Sequence, residues 1–255
     1  MHGAGWLSRR AMSVIGLAAE SIQAESVADF LQGLRAVAGE LVSLRPSMMP
    51  ISNSVRDLLH LIEEKAEEEQ DVSRLRSYAQ AASKRLTRTS LRATQKAASH
   101  AAALICDGDI VMTCSYSTAV VRSLELAKKK GKTFSVVAAR SEARDGRAYG
   151  EAMAEKLASI GIPTEVIPDD TLESRVAKAS KALTGADTVL PDGSIINGAP
   201  TLRLAQAAKR HGVPFYVVCE TAKFAPLGQA STLEEGFELI PSRLLARIVT
   251  EDGLK

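Results

Sequence analysis

Apolar side chains recur every three or four residues through the first hundred positions, so that part of the chain reads as helical. Trp6 to Glu20 places Trp6, Leu7, Met12, Ile15, Leu17 and Ala18 among polar positions. Ser26 to Leu44 repeats the spacing with Val27, Phe30, Leu31, Leu34, Val37, Leu41 and Leu44. It is expected to stop at Arg45-Pro46, because the residue before a proline avoids the α region. Asn53 is read as the cap of a third helix through Leu58, Leu59 and Ile62. The acidic run from Glu63 to Glu69 is its solvated face. A long helix then starts at Asp71 or Ser73 and runs through Leu75, Tyr78, Leu86, Leu91, Ala98 and Ala102.

The period changes after Asp107-Gly108-Asp109, where short apolar runs alternate with helical stretches. Strands are expected at Ile110–Thr113, Thr133–Ala139, Thr164–Ile167, Thr188–Leu190 and Phe215–Val218. Helices are expected at Thr118–Lys130, Arg147–Ile160, Thr171–Leu183 and Thr201–Arg210. This alternation predicts an α/β fold: an N-terminal helical domain over 1–105, then a Rossmann-like parallel sheet over 106–255 with helices on both faces. Ligands of such sheets sit beyond the carboxyl ends of the strands, so the strand-to-helix loops are where chemistry belongs. Leu227 to Ile248 is apolar; a dimer surface and a terminal helix on its own sheet are both open readings.

Composition narrows the partners. Hydrophobic residues make up 45% of the 255 and charged residues 24%, with a net charge of +2. So small a charge gives no reason to expect a nucleic acid or a membrane surface. The basic residues Lys84, Arg85, Arg88, Arg92 and Lys96 lack interleaved aromatics and read as a solvated face. No apolar run approaches the ~20 residues of a membrane span, and no leader pattern opens the chain. Cys106, Cys114 and Cys219 form neither a metal-ligand pattern nor a disulfide framework, which fits a reducing cytoplasm. No metal and no cofactor is expected. His2, His60, His100 and His211 are scattered, so Ser/His/Asp machinery is not indicated, and no GxGxxG follows the first strand.

Three loops could carry chemistry. Thr113-Cys114-Ser115-Tyr116-Ser117 precedes a helix, whose positive end favours an anion and would make Cys114 a better thiolate. Alternatively, Ser117 or Thr118 only caps the helix and Cys114 is a small core residue. In Gly185-Ala186-Asp187, the carboxylate stands beside an apolar strand and needs a partner, which a ligand hydroxyl or a structural contact could supply. Asn197-Gly198 suits a tight loop bringing backbone amides near a phosphate. In Glu220-Thr221-Ala222-Lys223-Phe224, Lys223 is either a surface lysine or a point charge for a phosphate.

Together these loops resemble a known family. The run Gly185-Ala186-Asp187, Asp192-Gly193-Ser194-Ile195-Ile196-Asn197, Val213-Pro214-Phe215-Tyr216-Val217-Val218 and Glu220-Thr221-Ala222-Lys223-Phe224 resembles the C-terminal signature of the translation initiation factor 2B alpha/beta/delta family. That family includes ribose-1,5-bisphosphate and methylthioribose-1-phosphate isomerases. Asp107 to Ser117 resembles its first-strand motif. Arg45-Pro46 with Pro50, Asn53 and Arg56 resembles its N-terminal motif, and Gly3, Trp6 and Arg9-Arg10 its opening turn. The resemblance implies a phosphorylated sugar or nucleotide as ligand, bound by Gly3, Arg45, Ser117, Asn197, Gly198 and Lys223. It implies Asp187 as an acid–base group. The isomerases' cysteine falls on Ser115, with Cys114 one position earlier; Gly198 stands where the family has lysine, and Tyr116-Ser117 resembles the regulatory subunits. A regulatory ligand-binding protein is the expectation, an aldose–ketose isomerase of a pentose phosphate the alternative. The resemblance also implies a homodimer or higher oligomer through the C-terminal domain, or assembly with related subunits.

Overall fold

The computed structural model describes residues 3–143, 146–227 and 233–255. Four helices come first: α1 (Ala4–Ser21), α2 (Val27–Ser43), α3 (Met49–Glu68) and α4 (Val72–Ala103). Ser26 caps α2 by accepting from the Asp29 N–H, and Asp71 caps α4 by accepting from Ser73 and Arg74 N–H. Their inward faces share one core, in which Met12, Ile15, Phe30, Leu34, Leu58, Ile62 and Leu75 are fully or almost fully buried. Asn53 lies inside α3 and caps nothing. Pro50 already sits in the first turn, where its missing N–H costs no helical bond.

The rest of the chain builds β1 (Asp109–Thr113), α5 (Thr118–Lys129), β2 (Phe134–Ala139), α6 (Tyr149–Ala158) and β3 (Thr164–Ile167). There follow α7 (Leu172–Val176), β4 (Lys181–Thr184), β5 (Thr188–Val189), β6 (Ile195–Gly198), α8 (Thr201–Arg210) and β7 (Phe215–Val218), then β8 (Phe237–Ile240), β9 (Arg247–Thr250) and β10 (Gly253–Leu254). The main sheet runs β10-β9-β7-β4-β1-β2-β3; all neighbours are parallel except the β10–β9 pair. This is the α/β architecture that the alternation predicts.

Apolar side chains fill both faces of the sheet. Met112, Ala182, Leu204, Phe215 and Val217 lie in one layer; Val111, Leu124, Met153, Leu183 and Val218 lie in the other. The second layer also takes Ala97, Ala101, Ala102 and Ile105, so the far end of α4 is part of the sheet's covering.

Three segments fold otherwise than their pattern predicts. Thr171–Leu183 is not one helix: α7 ends at Val176 and β4 begins at Lys181. Lys181 misleads because it reads as polar, yet its Nζ is buried against the Asp109 carboxylate and the Leu104 carbonyl. Asp109 is thus half of a buried ion pair. Thr188–Leu190 is not in the parallel sheet. It forms a hairpin with β6 across Pro191-Asp192-Gly193, and β8 completes a small antiparallel sheet β5-β6-β8. Leu227 to Ile248 contains no α-helix among its described residues; it supplies β8, a 3-10 turn at Ser242–Leu244 and the start of β9.

Candidate active site

The strand order turns back between β1 and β4. After β1 the chain moves outward to β2 and β3; β4 returns to the other flank of β1. At such a reversal the loops leaving the two strands diverge and open a crevice. The loops after β1 and β4 are Cys114–Ser117 and Gly185–Asp187, two of the three singled out by sequence.

A narrow cleft of about 40 Å³ lies there. Ser115, Tyr116 and Ser117 form one wall and Gly185, Ala186 and Asp187 another. Asn197, Glu220 and Lys223 close it, and Gly3, Ala4 and Gly5 at the start of α1 cover it. The carboxylate, the asparagine amide and the hydroxyl-bearing turn therefore converge on one space, together with Gly3, Ser117 and Lys223.

Two helix N-termini point into the cleft. Ser117 caps α5, its Oγ accepting from the Val120 N–H at 3.3 Å. Gly3 precedes α1 and has no side chain to cap it. The first amides of both helices are orphan donors, and both macrodipoles favour an anion between them.

Asp187 is the buried carboxyl of the cleft's second wall. Part of it stays open to the cleft, and among the described residues no protein donor hydrogen-bonds its carboxylate. Burial raises its pKa, Lys223 and Arg45 pull it back, and Glu234 adds to the rise. The result is a carboxyl above its ordinary range with lone pairs free for a ligand. Lys223 is buried rather than on the surface. Its Nζ donates to the Ala186 carbonyl at 2.5 Å and lies 3.7 Å from Glu220 Oε2.

Other expected residues sit differently. Cys114 does not reach the cleft. Its side chain is buried, with Sγ 3.4 Å from Thr201 Oγ1, and burial pushes the thiol up to about 12. The α5 N-terminus does not favour the thiolate because Cys114, the residue after β1, turns its side chain into the sheet core. Ser115, the next residue, is the one at the cleft. Its backbone is left-handed, φ 59°, and its N–H donates to Ser141 Oγ at 2.7 Å; Ser141 is itself left-handed, φ 51°.

Asn197 and Gly198 are not a loop. They end β6, paired with Glu238 and Phe237, so their backbone is tied into the small sheet. Asn197 contributes through its side chain, whose Nδ2 donates to Thr201 Oγ1 at 2.8 Å and Thr184 Oγ1 at 3.2 Å. A Cβ on Gly198 would stand 3.4 Å from Ser115 Oγ, so Gly198 borders the same turn. Arg45 does not line the cleft: it pairs with Glu234 at 2.8 Å and covers the Phe237 ring at 5.5 Å. Sequence reading named Ser115 but not its left-handed backbone, missed Ser141 altogether, and gave Glu220 no role of its own. The buried Glu–Lys spacing at 220 and 223 is the signal that could have found Glu220.

Comparison with known proteins identifies the family and the fold. The model of the Initiation factor 2 subunit family matches residues 1–254. The chain belongs to that family. It is 29% identical to a ribose 1,5-bisphosphate isomerase of Thermococcus kodakarensis, over all of this chain and 77% of the relative. It is 31% identical to a putative translation initiation factor eIF-2B subunit 2-like protein of Pyrococcus horikoshii, over 97% of this chain and 81% of the relative. Among solved structures, the Pyrococcus horikoshii translation initiation factor eIF-2B superposes with a TM-score of 0.83 at 28% identity, covering 99% of this chain and 90% of that one. The 5-methylthioribose 1-phosphate isomerase from Pyrococcus horikoshii shares the fold, with a TM-score of 0.78 at 19% identity, over all of this chain and 80% of that one. Among the described residues, no helix is long and apolar enough to cross a membrane.

Proposed function

We propose that this cleft binds a phosphorylated pentose and that the protein is an aldose–ketose isomerase acting on it, with ribose 1,5-bisphosphate as the first substrate to test. The observation that carries the reading is Asp187: a carboxyl with a raised pKa and, among the described residues, no hydrogen-bond donor on it, in a cleft that two helix N-termini make attractive to a phosphate. Relatives named ribose 1,5-bisphosphate isomerase support the substrate class.

In this reading the first-turn amides of α1 and α5, with the Ser117 and Thr118 side chains beside them, hold one phosphate. Asn197 and the Ser115 hydroxyl orient the sugar. Opening a ring that carries a phosphate on C1 requires a proton on the ring oxygen as the C1–O bond breaks. The C2 hydroxyl gives up a proton, and a hydride passes from C2 to the electron-poor C1, so no external oxidant or reductant enters. A protonated Asp187 donates the first proton, and its carboxylate accepts the second. A well-placed acid–base group contributes ~10²–10⁴-fold.

One observation favours a second reading, binding without turnover as a regulatory protein. Cys114 and Cys219 each adjoin a cleft residue in sequence, but neither lines the cleft and burial pushes both thiols up to about 12; a serine, Ser115, lines it instead. Related subunits would then be the partners, as the solved eIF2B-beta2-delta2 complex, at 23% identity, suggests. The test is conversion of ribose 1,5-bisphosphate to its ketose by the native chain and by Asp187→Asn. Native turnover lost in the variant supports the isomerase. Saturable binding with no turnover in either supports the regulatory reading.

A further inference from the structure

Glu220 stands just beyond the end of β7 and is 5% exposed. Thr94 of α4 donates a hydrogen bond to its Oε1, and Lys223 Nζ lies 3.7 Å from its Oε2. The same Nζ donates at 2.5 Å to the carbonyl of Ala186, the residue before Asp187. Arg9 of α1 faces Glu220 from the other side, and a Cβ on Gly5 would come within 3.3 Å of Glu220 Oε1. One carboxylate thus ties α4 and the turn after β7 to the loop that carries Asp187, with the Arg9 charge of α1 acting on it.

A carboxylate and an ammonium buried together are costly to desolvate, and replacing such a pair by apolar residues is often neutral or stabilising. A pair that is both buried and beside a cleft is better explained by what it places there. We propose that Glu220 is a positioning residue: held by Thr94, it fixes Lys223 against the Ala186 carbonyl and so sets the place and the charge that Asp187 meets. The proposal deepens the isomerase reading and rests on it for its catalytic meaning. Its geometric content is independent of any turnover.

The charged groups around Asp187 are Lys223, Arg45 and Glu234, with the Tyr116 hydroxyl side chain on the facing wall; around Glu220 they are Lys223 and Arg9. Burial works to raise Glu220, yet the Lys223 charge, the Thr94 hydrogen bond and Arg9 together bring it below the ordinary range. Glu220 is therefore an anion that balances Lys223. With that anion neutralised, the full Lys223 charge acts on Asp187 and favours its ionised form.

The experiment is a carbon-13 NMR titration of the Asp187 carboxyl in the unliganded protein, assigned with Asp187→Asn. Glu220→Gln is expected to lower the Asp187 midpoint by about half a unit or more, and Glu220→Asp to bring it part of the way back. Thr94→Val, a milder change that leaves the carboxylate in place but loosens it, is expected to move the midpoint by a smaller, resolvable amount. A native midpoint in Glu220→Gln overturns the proposal. If Glu220→Gln does not fold, an unchanged midpoint in Thr94→Val overturns it equally. Shifted midpoints in a protein that turns over no pentose phosphate uphold the positioning role and defeat the isomerase reading, so the two failures are distinct.

Discussion

Gly185 and Ser117 touch: a Cβ on Gly185 would stand 2.6 Å from Ser117 Oγ and 2.9 Å from its Cβ. The glycine is required because the loop after β4 passes directly over the cap of α5. The contact brings the Asp187 loop and the anion-attracting helix end into one cleft. Gly185→Ala is expected to push Ser117 off its cap. The loss is about 1–3 kcal/mol in urea unfolding, as for other overpacked sites, with ligand affinity falling alongside.

Asp187 predicts a pH dependence. Its folded pKa lies above the ordinary 3.8 because burial disfavours the charge. The folded state then binds more protons than the unfolded one, so this group's contribution is complete below 3.8 and is lost as pH rises through the folded value. Asp187→Asn removes the penalty. The variant should be more stable than the native chain at pH 7, and the difference should close as pH falls to 3.8. Urea midpoints across that range check it.

The thiols separate by burial. Cys106 is exposed, whereas Cys114 and Cys219 are buried and burial pushes both to about 12. A thiol reagent at pH 8 should modify one cysteine in the folded protein and three after denaturation. If the isomerase reading holds, Cys114→Ser should keep turnover within about threefold, since a residue outside the cleft contributes little to transition-state binding.

Asn53 joins the two parts of the chain. Its Nδ2 donates to the Ala222 carbonyl at 2.8 Å and the Phe224 carbonyl at 2.9 Å, fixing the turn that carries Lys223. Asn53→Ala leaves two partly buried carbonyls without that donor. A loss of about 1–3 kcal/mol is expected, read by chemical denaturation.

The alternation of apolar runs made the main sheet legible, because strands buried on both faces read as short continuous stretches. β4 was hidden because its first residue is a lysine, whose buried charge is met by the Asp109 carboxylate and the Leu104 carbonyl. The small antiparallel sheet was hidden because Ile195–Gly198 pairs with β8, some forty residues downstream, and local pattern carries no such pairing. Asp187 was legible as a carboxylate beside an apolar strand. Cys114 misled because period and motif place a residue on a strand end without saying which way its side chain turns. That direction follows from the pleat, and here it sends Cys114 to the core and Ser115 to the cleft.

The most direct measurement is a calorimetric titration of ribose 1,5-bisphosphate into the native chain, Asp187→Asn and Thr118→Glu. Thr118 is the first residue of α5, where an acidic side chain suits the helix but repels a phosphate. One saturable site per chain is expected, kept in Asp187→Asn and weakened about tenfold or more in Thr118→Glu. Absence of binding to the native chain, or equal binding to Thr118→Glu, would contradict a phosphate seated between the two helix ends.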